Sequence, residues 1–210
     1  MRIGIVGDTH VPDRAACIPP AALDALRGVD LILHAGDVSS PAVLDELRRI
    51  APVLAVQGNN AGDRRNFDPP LPRRIVVRVN GYRIGLIHGV QSLPQRVRDF
   101  TVGKLGYKHL LAEPIGRLAL RQFDEVDAII FGHIHWPWIG TLDGVQCPFA
   151  NDVVRALDGV LMVNPGALCG RRDRAVALMD VNPSGLRVQL VPIDPPRRPR
   201  PSRLIARLLR

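Results

Sequence analysis

The sequence is poor in several of the residues that would mark a familiar class of function. Its 210 residues hold three cysteines, Cys17, Cys147 and Cys169, none in C-x-x-C spacing. That argues against a disulfide scaffold or a cysteine zinc site, and it fits a reducing, cytoplasmic setting. Aromatic residues make up 4% of the chain and are not interleaved with basic ones, so a nuclease or other nucleic-acid binder is disfavoured. No apolar run approaches the roughly 18 residues of a membrane span. The opening "MRIGIVGDTH" has neither the apolar core nor the small-residue cleavage site of a signal peptide. A P-loop and a G-x-S-x-G element are also missing, which leaves kinase and serine-hydrolase chemistry without support.

What is present is ordinary globular material. Hydrophobic residues reach 46% and charged residues 23%, enough for one medium domain with a real core. The net charge of +8 would by itself suggest a polyanion binder, but its distribution weakens that reading. Arg197, Arg198, Arg200, Arg203, Arg207 and Arg210 crowd the last stretch, "PPRRPRPSRLIARLLR". We read residues 1–194 as the domain and 195–210 as a basic Pro/Arg-rich appendage, a linker followed by a short helix.

Short hydrophobic runs alternate with helical patterns. "RIGIVG", "DLILHAG" and "PVLAVQG" read as strands, separated by "PPAALDALRGV" and "SSPAVLDELRRI" as helices. The second helix has a Ser cap and Pro41 in its first turn. This order predicts parallel strands with crossover helices. "RRIVVRVNGYRIGLIHG" carries Asn80-Gly81 between two alternating runs, a hairpin signal. Residues 103–123 have helical spacing, and "DAIIFGHIH" is a further strand. "GVLMVNPGAL" and "RAVALMDVNPSGLRVQLVPI" add strands joined by turns. The fold class is α/β in the broad sense (α+β): two sheets packed as a sandwich, flanked by helices.

Chemistry gathers just beyond the strands. Asp8 and His10 follow the first, Asp37 the second and Asn59 the third. His88 follows the hairpin, and His133 and His135 follow "DAIIF". Such carboxyl-terminal loops are where α/β proteins place ligands. Taken singly, each residue also fits a helix cap, a surface histidine or a plain turn. Taken jointly, seven oxygen and nitrogen donors at five strand ends point to a metal site.

The motifs "GDTH", "GDV", "GNN", "HG", "GHIH" and "NPGA" span residues 7 to 167. In type and order they resemble the calcineurin-like metallophosphoesterase superfamily, most of all its small single-domain bacterial and archaeal phosphodiesterase branch. The resemblance implies that Asp8, His10 and His135 hold one divalent metal and that Asn59, His88 and His133 hold a second. Asp37 would bridge the two. It also implies a catalytic group of Asp37, Asn59, Asn60 and His133, acting on a small phosphate ester, a phosphodiester first and a phosphomonoester second, through metal-activated hydroxide. Manganese is favoured; nickel, iron, cobalt and zinc are admitted by a donor set without thiolate. Neutral imidazoles and an amide oxygen would leave such a site net positive, suited to a phosphate anion.

Three positions depart from the family pattern. Ala61 stands where an Asp or Glu usually follows the ligand Asn by two residues; Asp63 is the nearby candidate substitute. Asn60 stands where larger relatives have a leaving-group acid, and it has no titratable proton to give. His88-Gly89-Val90 replaces a His-Gly-His run. His34 reads as structural or as support behind the ligands, His109 as a surface residue and Asn164 as setting a turn. Arg14, Arg171 and Arg172 read either as exposed or as reaching substrate. Segments 91–123 and 141–157 look long for this branch and suggest a lid, an entry wall or a subunit interface, which keeps a homo-oligomer open. The rival readings are an interaction scaffold, as in the phosphoesterase-like subunit of retromer, and a nuclease using the basic tail.

Overall fold

Period-two alternation of apolar side chains sends each central strand's residues to two different cores. In β1 (Arg2–Val6) and β2 (Leu31–His34), Ile3, Ile5, Leu31 and Leu33 face one core while Val6 and Ile32 face another. Strands buried on both sides need continuous apolar runs rather than a polar face, which is why "LILH" contains no solvated position. The computed structural model describes residues 1–89, 111–141, 146–147, 154–156, 159–170 and 173–194.

The remaining strands are β3 (Val53–Ala55), β4 (Arg74–Val79), β5 (Tyr82–Ile87), β6 (Ala128–Phe131), β7 (Trp138–Thr141), β8 (Gln146–Cys147), β9 (Val154–Ala156), β10 (Leu161–Asn164), β11 (Ala175–Asn182) and β12 (Gly185–Pro192). They form two six-stranded sheets, ordered β3-β2-β1-β11-β12-β9 and β4-β5-β6-β10-β7-β8. In the first, β1, β2 and β3 run parallel and β11 runs antiparallel to β1. In the second, β5, β6 and β10 run parallel, with β4 and β7 antiparallel outside them.

The inner faces meet in a sandwich core: Ile3, Ile5, Leu33, Met179 and Val188 from one sheet, Ile84, Leu86, Ile130 and Val163 from the other. The outer face of the first sheet is covered by α1 (Pro20–Ala25) and α2 (Pro41–Arg48), whose Ala22, Val43 and Leu47 pack with Val6, Ile32 and Val176. The outer face of the second sheet, with Ile129, Phe131 and Met162, lies under Ala112, Ile115 and Ala119 of α4 (Ala112–Leu120). Each valine, leucine, isoleucine, phenylalanine or methionine among them contributes about 1.5–3 kcal/mol when fully buried. A short α3 (Ala61–Arg65), which has no signal in the hydrophobic pattern, follows β3.

The punctuation works as the sequence suggests. Ser40 Oγ accepts from Ala42 N at 3.3 Å, with Pro41 at the start of α2. Asn80 and Gly81 turn the β4–β5 hairpin with φ of 48° and 88°, the positive pair that a tight hairpin requires. Of the segment expected to be helical over 103–123, residues 112–120 are helix, and 103–110 lie outside the described residues. Most of 141–157 and the whole tail, 195–210, also lie outside them; Thr141 at the end of β7, β8 and β9 are the described parts of the former.

Candidate metal centre

Parallel strands end on the same side, so the loops after β1, β2 and β3 must meet. The sandwich brings the loops after β5 and β6 against them. Asp8 N donates to Gly36 O and His10 N to Asp37 O, each at 3.0 Å, stitching the first loop to the second. Across the sheets, Asp8 Oδ2 accepts from His133 N at 2.9 Å. Gly132 N donates to His88 O at 3.0 Å. Asn164, at the end of β10, donates from Nδ2 to Gly132 O at 2.8 Å and accepts from Gly166 N at 2.9 Å, so it sets its own turn and also holds the His133 loop.

Backbone conformation sets these residues apart. Asp8, His10, Asp37, His133 and His135 all have positive φ, at 49°, 48°, 55°, 76° and 54°. For residues with a Cβ this is an uncommon state costing about 1 kcal/mol or more each. The loops are also packed close: a Cβ on Gly58 would lie 2.1 Å from Asp37 Oδ1, and one on Gly132 would lie 2.9 Å from both Ala35 O and Asp8 Oδ2.

The side chains converge in two halves about Asp37. In the first, Asp8 Oδ1 lies 3.2 Å from His135 Nε2 and 3.9 Å from His10 Nε2. Donor atoms of Asp8, His10, Asp37 and His135 all fall within 4.8 Å of one another. In the second, Asn59 Oδ1 lies 2.8 Å from His88 Nε2 and 3.0 Å from His133 Nδ1, and those two nitrogens are 3.3 Å apart. Asp37 Oδ2 sits between, 3.2 Å from His10 Nε2 and 3.5 Å from His88 Nε2. All seven residues singled out in the sequence therefore come together. The eighth, Asn60, is turned to structure: its Oδ1 caps α3 by accepting from Asp63 N at 2.7 Å, and its Nδ2 donates to Ser39 Oγ. Its backbone N donates to Asp37 Oδ1 at 2.9 Å.

Two features of this donor set call for cations. Asp8 Oδ1 and His10 Nε2 are buried, and although Asp8 Oδ1 lies 3.2 Å from His135 Nε2 and His10 Nε2 lies 3.2 Å from Asp37 Oδ2, neither contact is aligned as a hydrogen bond, a costly state for polar atoms unless something else satisfies them. His88 Nδ1 is 2.8 Å from Ala35 O, where only an N–H can sit. In a neutral imidazole this turns the bare Nε2 lone pair toward the Asn59 oxygen, one acceptor against another. A cation resolves both arrangements.

Burial pushes the Asp8 carboxyl up, but the imidazoles of His135, His88 and His10 outweigh it and hold the carboxyl below the usual carboxylate range. Burial raises Asp37 too, and is overcome by the imidazoles of His10 and His88 beside it. Burial would lower His135, but the Asp8 carboxylate pushes it up to about 10. His133 is pushed down to about 4, by burial first and then by His88. His34, behind the centre, is also pushed down to about 4 by burial. It accepts from Gly36 N at Nδ1, so Nε2 carries the proton toward Thr9 Oγ1, 3.1 Å away.

The calcineurin-like phosphoesterase superfamily domain matches residues 1–184. The chain belongs to this superfamily. A probable metallophosphoesterase from Methanothermobacter thermautotrophicus is 36% identical over 167 residues, 80% of this chain and 77% of that protein. Another, from Methanocaldococcus jannaschii, is 34% identical over 195 residues, 92% of this chain and 82% of its own. Among solved structures, Vps29 from Entamoeba histolytica (a single mutant) superposes with a TM-score of 0.60 at 23% identity, covering 91% of this chain and 99% of its own. An archaeal phosphodiesterase superposes with a TM-score of 0.51, also at 23% identity, covering 91% of this chain and 100% of its own. Family membership supports phosphoester hydrolysis and divalent metals in general terms, and the two-sheet architecture is the metallophosphoesterase fold.

Within this family frame, two residues take on parts the sequence alone did not reveal. Asp63 is fully buried and accepts from Ser39 N and Gly58 N, both at 2.7 Å. It clamps the loop carrying Asp37 to the loop carrying Asn59. Cys169 Sγ lies 3.8 Å from His135 Nδ1, and Cys169 N donates to Asp8 O at 3.2 Å. Donor atoms of His10, His135 and Cys169 also fall within 4.8 Å of one another, so a sulfur does border the first half. The only hint was that Cys169 follows "NPGA" closely. Arg14 is exposed, while His109, Arg171 and Arg172 lie outside the described residues.

Beside the second half opens a cleft of about 670 Å³. Asn59 and His88 line it together with Arg64, Arg73, Arg74 and Gln122.

Proposed function

We propose that the chain hydrolyses phosphate esters, phosphodiesters before monoesters, with two divalent cations. Asp8, His10 and His135 would hold one, Asn59, His88 and His133 the other, and Asp37 would serve both. Manganese is the favoured metal, with nickel, iron, cobalt or zinc as alternatives. The observation that carries the reading is the pair of buried atoms with no aligned hydrogen bond, Asp8 Oδ1 and His10 Nε2, in the first half of the donor set. Bound cations would offset charge on the phosphoryl oxygens and acidify a water to near neutral pH.

The protein's own part is to prepare that arrangement. With two carboxylates among seven donors, the loaded centre keeps a net positive charge for an anionic ester. The strained, mutually bonded loops fix the donors before substrate arrives, which spares reorganisation in the reaction. His88 is oriented by Ala35 O and His133 by the Gly132–Asn164 link. Asn60 supplies no proton, and its side chain is committed to capping α3. The leaving group must then be stable by itself or be protonated by solvent, so aryl esters should outpace alkyl esters.

An interaction scaffold accounts less well for the same atoms, because docking a partner gives no reason to bury Asp8 Oδ1 without an aligned hydrogen bond. The test is hydrolysis of bis(p-nitrophenyl) phosphate by metal-stripped protein, with and without each metal. Turnover should need added metal, and Asp37→Asn should lower it by about a hundredfold or more. Metal-independent turnover, or full activity in Asp37→Asn, overturns the reading.

A further inference from the structure

The cleft beside the second half carries information about the substrate. Six described arginines, Arg2, Arg27, Arg48, Arg83, Arg117 and Arg174, are each paired with a carboxylate. The three that line the cleft are held differently. Arg64 donates to the main-chain oxygens of Asn59 at 2.9 Å and Asn60 at 3.4 Å. Arg74 donates to Gln122 O and lies over the Phe123 ring, 5.8 Å from its centroid. Arg73 is exposed and forms no ion pair among the described residues.

Carbonyl oxygens and a ring position a guanidinium without cancelling its charge. The described lining contains no carboxylate. Three uncompensated cations therefore line one cleft with Asn59 and His88, and their planar donors suit phosphate oxygens. A cleft of about 670 Å³ is of the size that takes a nucleotide-sized molecule.

We propose that the substrate is a phosphate ester carrying a second phosphate outside the scissile group, bound by Arg64, Arg73 and Arg74. This rests on the phosphoesterase reading, since the scissile phosphorus must sit at the donor cluster. A simple diester would use the metal centre and leave these arginines unengaged.

The experiment compares binding of thymidine 3′,5′-bisphosphate and thymidine 5′-phosphate to the full-length, metal-loaded protein by calorimetry. The bisphosphate should bind about tenfold more tightly, the low end for charge-assisted bonds because these arginines are exposed. Arg73→Gln and Arg64→Gln should each shrink that preference, while Arg78→Gln, on a strand outside the cleft, should not. Raising the salt should shrink it too. Equal affinities in the unmutated protein overturn the proposal, as does a preference untouched by both cleft substitutions. The readout does not depend on turnover. Loss of bis(p-nitrophenyl) phosphate hydrolysis would count against the enzyme reading, whereas equal nucleotide affinities would count against the role of the arginines.

Discussion

Replacing Asp63 with alanine tests whether the centre is held together from behind. The Asp63 carboxylate is fully buried and takes two short bonds, from Ser39 N and Gly58 N, both at 2.7 Å. Hydrogen bonds to a charged group are worth about 1.5–3 kcal/mol each, and removing the acceptor leaves two amides unpaired. Their sum is an upper bound, since the two bonds share one group and are not additive. We therefore expect Asp63→Ala to cost about 3–5 kcal/mol. A domain of this kind has about 5–15 kcal/mol in total, so the variant should still fold. Urea unfolding of metal-stripped protein gives this cost directly. The loops bearing Asp37 and Asn59 should also loosen, so metal affinity should fall in the folded variant, measured by titration below the unfolding transition. Asp63→Asn keeps one oxygen acceptor but turns an amide toward the other N–H, and it should fall between. If Asp63→Ala unfolds within about 1 kcal/mol of the parent and binds metal equally well, the clamp has no such role and the reasoning fails.

Two further outcomes follow from the same neighbourhood. Cys169→Ala removes the sulfur beside His135 Nδ1; metal affinity should drop about tenfold, the low end for a group orienting a ligand, with Cys169→Ser largely restoring it, and equal affinity in all three proteins would refute the contact. His34 has a folded pKa of about 4 against 6.5 for the free side chain, so between those values the unfolded state binds the extra proton. Stability from keeping His34 neutral is thus present above pH 6.5 and lost as pH falls toward 4. Between pH 7 and pH 5 the metal-stripped protein should lose about 2 kcal/mol more than His34→Gln does, and parallel losses in denaturant unfolding would contradict this.

The sequence shows the donors more clearly than what supports them. Asp8, His10, Asp37, Asn59, His88, His133 and His135 stand at strand ends within recognisable short motifs, and strand direction alone brings them to one side. The hairpin at Asn80-Gly81 and the doubly buried run "LILH" are legible for similar reasons, because turn chemistry and apolar periodicity are local. Asp63 and Cys169 are different. Their contacts reach Ser39, Asp8 and His135 across 24, 161 and 34 residues, and no local pattern encodes such meetings. The side chain of Asn60 illustrates a third case. Its lack of a titratable proton is plain from its chemistry, but its commitment to capping α3 depends on a five-residue helix too short to show periodicity. The arginine cleft is likewise assembled from α3 and the start of β4, whose charges look like ordinary surface when read in line.

The central claim is that these seven side chains hold two cations. Its most direct test is the metal content of the stripped and reloaded protein after equilibrium dialysis against manganese, counted per chain. The account predicts two ions per chain, with occupancy lowered in Asp37→Asn. A content of one or none in the unmutated protein, or two in Asp37→Asn at unchanged affinity, would contradict it.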